Sequence, residues 1–347
     1  MAMNRAFVFN SVPSGVPIIG EHISIQPAAY NSDIECPEDG VFLKSMYASI
    51  DPYQRSRMRA AHIKSYQPAL EPGSPLIARS IAQVQRSKYP AFRPGDIVVG
   101  TLPIQEYVAL SGDLLPHLKQ LDNPLGIEDI RVYLGALGVP GLTAYGGLYE
   151  IGKPERGQSI FISAASGAVG QMVGQLAKLE GLHTIGSVGS DEKLDYITST
   201  LGFDAGFNYK KERPAQALYR LAPGGLDIYF DNVGGEHLEA AFCSMKDFGR
   251  VVMCGTIADY NTAREEQYPL RAYSLIFSKR LTVRGFIVSD KDIAPKYAKE
   301  HQDRVQAWVK EGVIRVKMWE VQGIEKAPEA FLALFAGGNF GKVVLKY

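Results

Sequence analysis

The stretch Ser159-Ile160-Phe161-Ile162-Ser163-Ala164-Ala165-Ser166-Gly167-Ala168-Val169-Gly170 decides the fold. Ser159 to Ser163 is a short apolar run that reads as a buried strand. Val169, Met172, Val173 and Leu176 then recur at helical spacing. Between them lies a turn of small residues, a Gly-x-Gly-x-x-Gly fingerprint with Ala165 in its first place. In such a turn Gly167 lets backbone N–H groups approach a pyrophosphate, with Ala168 and Val169 alongside, and Gly170 lets helix and strand pack closely. The helix N-terminus adds partial positive charge. Small residues at strand–helix turns are also ordinary packing devices, so the surroundings must carry the reading.

Outward from that turn, the chain alternates. A strand is expected at His183 to Val188, a helix from about Asp191 to Leu201 and a strand near Phe207. A helix at Pro214 to Leu221, a strand at Leu226 to Asp231 and a helix around Leu238 to Met245 follow. Strands at Arg250 to Gly255 and Leu281 to Ile287 complete the run. Strands alternating with helices mean βαβ units, and six strands suit a complete Rossmann-type, doubly wound α/β domain. The first 115 or so residues differ: short strands (Val41 to Met46, Ile81 to Gln85, Ile97 to Gly100, Gln105 to Leu110) stand between turns such as Pro72-Gly73 and Pro94-Gly95. That texture predicts a small barrel or sandwich. From about Lys317 the mixed texture returns and ends in a strand, Lys342 to Lys346. The expected organisation is a discontinuous β-rich domain, residues 1–134 with 317–347, around a dinucleotide-binding domain, residues 135–316.

Which dinucleotide binds depends on the end of the second strand, where a carboxylate would hold the ribose 2′-OH of NAD. Here the strand ends Ser187-Val188-Gly189-Ser190 without an acid; Asp191 comes later, as a helix cap, and Lys193 follows. Gly189, Ser190 and Lys193 suit a 2′-phosphate, which points to NADP(H).

Composition excludes several classes. Thirty-seven Lys and Arg balance 37 Asp and Glu, so no general attraction to nucleic acid or an acidic membrane is expected. Apolar residues at 46% and charged residues at 21% are ordinary for a globular chain. The three cysteines, Cys36, Cys243 and Cys254, are too few and scattered for a disulfide framework and fit a reducing compartment. Met1 to Arg5 leads into only four apolar residues, Ala6 to Phe9, too short for a secretory core, and no uncharged stretch reads as a membrane span. A cytoplasmic protein is the expectation. The six histidines are scattered, with no close His–Cys or His–His pair, so local spacing offers no metal site.

Further motifs add up to a family. They are Ile50-Asp51-Pro52-Tyr53 with Arg55, Pro140-Gly141-Leu142-Thr143-Ala144-Tyr145, Ala164 to Gly170 and Gly189 to Lys193. Phe230-Asp231-Asn232-Val233-Gly234-Gly235, Cys254 to Ile257, Gly285-Phe286-Ile287-Val288 and Gly338-Asn339-Phe340-Gly341-Lys342 follow in order. In sequence and spacing the chain resembles the zinc-independent branch of the medium-chain dehydrogenase/reductases, that of prostaglandin reductases and alkenal double-bond reductases. The resemblance implies a GroES-like fold for the discontinuous domain. It also implies no zinc: where zinc-dependent relatives carry a Cys ligand this chain reads Ile50-Asp51-Pro52-Tyr53, and where they carry His-Glu it reads around Ile77-Ala78-Arg79.

The same resemblance places Lys193 and Tyr209 beside the 2′-phosphate, and Asn232 and Cys254 to Tyr260 along the cofactor channel. Phe286, Ile287, Val288 and Asn339 would close over the nicotinamide half. Hydride would add to the carbon β to a carbonyl, with Tyr260 donating a hydrogen bond to the developing enolate oxygen and Tyr53 lining the substrate pocket. Gln54 and Ser289 depart from the family pattern near that pocket and bear on which enal or enone is taken. Zinc-free quinone reduction is the rival activity, and a non-catalytic NADPH-binding sensor or structural protein the rival class. The strand Leu281 to Ile287, at a sheet edge, implies pairing across a two-fold axis in a homodimer.

Overall fold

The computed structural model describes residues 4–28 and 36–347, and of Asp113 only its backbone; Met1 to Met3 of the N-terminal stretch lie outside them. The chain divides into two compact units, one of residues 1–134, 318–339 and 343–347, the other of residues 135–317 and 340–342.

The first unit is built on antiparallel strands. β1 (Asn4–Phe9) pairs with β2 (Ile23–Ala28) as a separate two-stranded ribbon. β3 (Val41–Ser49) leads through the single-turn α1 (Tyr53–Ser56) to β4 (Ile77–Ser87), β5 (Ile97–Pro103), β6 (Tyr107–Leu110) and the short β7 (Lys119–Gln120). One apolar cluster here gathers Phe7, Phe9, Ile50, Met58, Leu76 and Ile104 with residues from far along the chain, Phe331, Val343 and Leu345. Burial of each large apolar side chain contributes about 1.5–3 kcal/mol, which fixes the C-terminal segment to this unit.

The second unit alternates helix and strand. α2 (Val139–Gly146) runs into a π-helical turn, Gly147–Gly152, before β8 (Ser159–Ile162) and α3 (Gly170–Leu179). β9 (His183–Val188), α4 (Asp191–Asp195), β10 (Ala205–Asn208), α5 (Pro214–Leu221), β11 (Leu226–Asp231), α6 (Gly235–Ser244) and β12 (Met245–Met253) follow. α7 (Ser274–Ser278), β13 (Thr282–Gly285) and α8 (Ala294–Lys310) complete it. The six strands pair in parallel in the order β10-β9-β8-β11-β12-β13. Strand order reverses between β8 and β11, and ligands of such sheets bind off the carboxyl ends of the strands at that reversal. The last elements return to the first unit: β14 (Met318–Gln322), α9 (Ala327–Ala336) and β15 (Lys342–Lys346), with Leu345 opposite Ala48 in β3.

Several expected boundaries shift, each for a local reason. The helix after β9 stops at Asp195 and continues as a π-helical turn, Tyr196–Thr200. β12 ends at Met253 because the N–H groups of Cys254 and Gly255 both turn onto the Asp231 carbonyl, at 2.9 and 3.1 Å. The last strand is four residues long, not seven, because the Ile287 N–H donates to the Asp290 carboxylate at 2.8 Å and closes a turn. The helix expected around Leu238 starts at Gly235, three residues sooner. α2, α8 and α9 were not expected from periodicity.

The second unit's core is aromatic: Phe161 stacks on Tyr229 (centroids 4.9 Å) and Phe207 (5.8 Å). His237 lies parallel to both phenylalanine rings and edge-on to Tyr209, and its buried Nε2 has no hydrogen-bond partner. Burial depresses its pKa to about 4, and His301, whose Nε2 faces the Ala136 carbonyl, is likewise near 4. Folding therefore favours neutral imidazoles. Their stability contribution is complete above the unfolded pKa of about 6.5 and declines as pH falls toward 4, by up to about 1.4 kcal/mol per group per pH unit. Thermal unfolding should accordingly lose midpoint between pH 6.5 and 4.5, and His237→Phe should lose less; identical slopes for wild type and variant would contradict this.

Candidate active site

The turn between β8 and α3 is held tightly. Ala164 has φ of 50°, a left-handed conformation that costs a residue with a Cβ about 1–2 kcal/mol. It persists because the Gly167 N–H bonds back to the Ala164 carbonyl (2.9 Å) and the Ala165 N–H to Ser187 in β9 (2.9 Å). A Cβ on Gly170 would lie 2.4 Å from the Ala164 oxygen and 2.8 Å from the Ala165 Cα, whereas one on Gly167 would lie 3.1 Å from that oxygen. Gly170 is thus required by helix–strand approach, and Ala168 and Val169 form the turn just before the helix opens. The N–H groups of Gln171, Met172 and Val173 bond back to the Gly167 and Val169 carbonyls at 3.0 Å each, and the partial positive charge of the helix N-terminus favours an anion at that end. Behind it, two buried glutamines one helical turn apart clamp a neighbouring segment. Gln171 exchanges hydrogen bonds with the backbone of Lys317, and Gln175 with that of Arg315.

At the end of β9, Ser190 caps α4 by accepting from the Lys193 N–H at 3.3 Å, so the cap is Ser190 and not Asp191. Asp191 is held instead by Asn208 Nδ2 (2.9 Å) and an ion pair with Lys211, and these two bonds keep its pKa below the usual carboxylate value. Lys193 is buried; desolvation and the neighbouring Lys210 lower its pKa, as a nearby anion would reverse. The Tyr209 hydroxyl closes the other side: a Cβ on Gly189 would stand 2.9 Å from it. Gly189, Ser190, Lys193 and Tyr209 therefore lie together at the end of β9, where Lys193 feels both Lys210 and the Glu192 carboxylate.

The carboxyl ends of β8, β11 and β12 are joined by Asp231, which is fully buried. Its Oδ1 accepts from Tyr229 Oη (2.6 Å), the N–H groups of Gly234 (2.8 Å) and Val233 (2.9 Å), and Ser163 Oγ (3.3 Å). Burial raises its pKa and those hydrogen bonds hold it down; Oδ2 has no partner. Asn232 completes the junction, its side chain donating to the Ser163 carbonyl at 2.8 Å. Asp231 lies within a motif visible in sequence, but nothing there distinguishes a buried hub from a solvent-facing turn residue.

A groove of about 400 Å³ opens beside this junction. Met253 to Thr256 and Tyr260 line one wall, and Gly285 to Ile287 and Asp290 the other. The Tyr260 hydroxyl stands over Gly255, where a Cβ would lie 3.3 Å from it. Burial, then the nearby Asp231 charge, pushes the Cys254 thiol up to about 12, so it stays protonated. Phe286 faces two ways. It lines the groove, yet its ring tip would come within 2.7 Å of a Cβ on Gly147, so its ring is packed into the core. Val288 is not among the lining residues; its carbonyl accepts from Ala294 at the start of α8. Thr256 falls within the Cys254 to Tyr260 segment expected along the cofactor channel, whereas Asp290 joins the groove without any signal in the sequence that marks it.

Tyr53 and Asn339 belong to the first unit. Asn339 is half-buried in the loop after α9. Tyr53 begins α1, and burial together with Asp51 raises its pKa well above the ordinary phenol value, so it is a neutral hydroxyl. Its position is set by Gln54, buried, which accepts from the Asp51 N–H (3.0 Å) and donates to the Ile77 carbonyl of β4 (3.0 Å). Among the described residues no group of three or more His, Cys, Asp and Glu side chains could hold a metal ion, and no helix is long and apolar enough to cross a membrane.

A glycine-cradled turn at the reversal of a six-stranded parallel sheet, with Lys193 and Lys210 near the end of β9, defines a dinucleotide-binding domain. Comparisons agree. The family description "Zinc-binding dehydrogenase" matches residues 168–302 and "N-terminal domain of oxidoreductase" residues 5–118. The chain is 46% identical to the NADP-dependent oxidoreductase RED1 of Cochliobolus heterostrophus, covering 100% of this chain and 98% of that one. It is 41% identical to the 2-alkenal reductase (NADP(+)-dependent) of Nicotiana tabacum, over 90% and 89% of the two chains. The crystal structure of CurA from Vibrio vulnificus in complex with NADPH superposes with a TM-score of 0.88 at 34% identity, over 99% and 98%. The chain belongs to the zinc-independent branch of the medium-chain dehydrogenase/reductases.

Because overpacking at a rigid contact costs about 1–3 kcal/mol, Gly170→Ala should destabilise the protein by that much in urea unfolding. Gly167→Ala should cost distinctly less; equal losses would contradict the assigned geometry.

Proposed function

We propose that this chain is an NADP(H)-dependent reductase of the carbon–carbon double bond of α,β-unsaturated aldehydes and ketones. One observation carries the reading: Tyr260 lines a groove at the strand ends, and its phenol O–H is a hydrogen-bond donor. Such a donor meets the need of an enone carbonyl whose oxygen gains charge as hydride arrives. The relatives named for NADP and for 2-alkenal reduction support it.

The residues present fit the cofactor. The turn Gly167 to Gly170 would hold the pyrophosphate at the N-terminus of α3, and Ser190, Lys193 and Tyr209 would hold the 2′-phosphate. Asn232, Cys254, Tyr260, Phe286, Ile287, Val288 and Asn339 are assigned to the rest of the cofactor. When bound, NADPH supplies a hydride to the carbon β to the carbonyl. Tyr260 donates a hydrogen bond to the carbonyl oxygen and stabilises the enolate; Tyr53 lines the substrate pocket as an uncharged surface. The Cys254 thiol, protonated at neutral pH, is a poor nucleophile and so does not capture the electrophilic β-carbon.

The enzyme should oxidise NADPH with small enals and enones, faster than with naphthoquinones. Removing a single oxyanion donor costs about 10²–10³ in kcat. Tyr260→Phe should therefore lower kcat by roughly that factor, with a far smaller rise in the Kd for NADP+. Lys193→Ala should raise KM for NADPH about tenfold or more, through loss of a charge-assisted bond, and leave NADH nearly unaffected. Preference for quinones, or equal losses with both cofactors, would contradict the assignment.

We also propose a homodimer formed along β13. Val283 on this edge strand is exposed, with exposed Phe277, Tyr273 and Phe248 on the same unit. An edge strand left open, with exposed aromatic side chains on the same unit, is a ready template for pairing. Light scattering should give twice the 38.0 kDa chain mass, and Val283→Glu should halve it; a monomeric mass for the wild type at micromolar concentration would refute the dimer.

A further inference from the structure

Within the first unit, two guanidinium groups, one just beyond α1 and one on β4, leave most of their hydrogen-bonding capacity unused. Arg79 stands on β4, on the strand face opposite the buried Ala78 and Ser80, and is itself half-buried. It makes no hydrogen bond and no ion pair among the described residues. Arg57, just beyond α1, spends only its Nε, on the Pro68 carbonyl at 3.1 Å. Both lie close enough to Tyr53 to act on its hydroxyl electrostatically. Burial lowers the pKa of each, without removing the charge.

The placement is built, not incidental. The Gln54 side chain bridges Asp51 and the first residue of β4, so α1 is pinned against the start of the strand that carries Arg79. Neighbouring Arg59 is consumed by the backbone of Ser56, Ile63 and Gln67, and Arg55 reaches the Gly15 carbonyl. The carboxylate acting on Tyr53 is Asp51, which already accepts the Ser49 hydroxyl. A partly desolvated guanidinium without an acceptor is costly, and its planar fork matches a carboxylate or phosphate oxygen pair.

We propose that Arg79, assisted by Arg57, is a specificity-determining residue that binds an anionic oxygen group, carboxylate or phosphate, on the substrate beside Tyr53. This rests on Tyr53 lining the substrate pocket of the proposed reductase. It narrows the substrate from any enone to one that carries a negative charge away from the reacting double bond.

The test uses calorimetric titration of the NADP+-saturated enzyme with three forms of benzylideneacetone: a para carboxylate, its methyl ester and a para phosphate monoester. A charge-assisted pairing predicts that at least one anion binds about tenfold or more tighter than the ester, and the tighter of the two identifies the group. Arg79→Gln should bring the anion-to-ester ratio close to one, and Arg79→Lys should restore part of it. Raising salt should shrink the wild-type preference. Equal binding of anions and ester by the wild type overturns the proposal, and needs no variant to fold. So does a preserved ratio in Arg79→Gln, or a loss of NADP+ affinity in that variant as large as its loss of anion affinity. Turnover with NADPH is read separately: binding of the anion without reduction would refute the reductase reading and leave the anion site standing.

Discussion

The buried carboxylate of Asp231 is the constraint on which the cofactor-binding unit depends. One oxygen gathers Tyr229, Ser163 and two backbone N–H groups, while the residue's own carbonyl receives the N–H groups of Cys254 and Gly255. Three parallel strands therefore end at one fixed point. A carboxylate in such surroundings is tolerable because its hydrogen bonds replace water, and removing them would leave a buried group unsatisfied at a cost of several kcal/mol. The geometry of the groove, from Cys254 round to Tyr260, follows from where those strands stop.

A second constraint is steric. The approach of α3 to β8 leaves no room for a side chain at Gly170, and the turn is kept in register by the strained Ala164. Close packing there positions the helix N-terminus at the strand ends. Electrostatics then sets the end of β9: Asp191 is neutralised by Lys211 and Asn208, and Lys193 is buried near Lys210 and Glu192.

Much of this was legible in the sequence because it rests on local signals. β9, α5, β11 and β15 fall at the residues their apolar patterns mark, and the Gly167 to Gly170 fingerprint falls on the turn it names. What periodicity missed depends on distant partners. The strand expected to run to Ile287 stops at Gly285 because Asp290 captures the Ile287 N–H. α8 is a largely surface-facing helix whose buried residues, His301 among them, pack onto α2 near Ala136 and carry little apolar rhythm of their own. The same limit applies to the site. Lys193 and Tyr260 stand in recognisable motifs, whereas the hub role of Asp231 and the unsatisfied guanidinium of Arg79 appear only once the side chains that surround them are in place. The description "Zinc-binding dehydrogenase" refers to a family wider than this zinc-independent branch.

The central claim is that a neutral donor in a groove beside NADPH directs hydride to carbon and not to a carbonyl. Reduction of a small enone with NADPH deuterated at the nicotinamide C4 position, followed by NMR of the product, tests it most directly. The account predicts a saturated ketone with deuterium on the carbon β to the carbonyl; an unsaturated alcohol with deuterium on its carbinol carbon would contradict it.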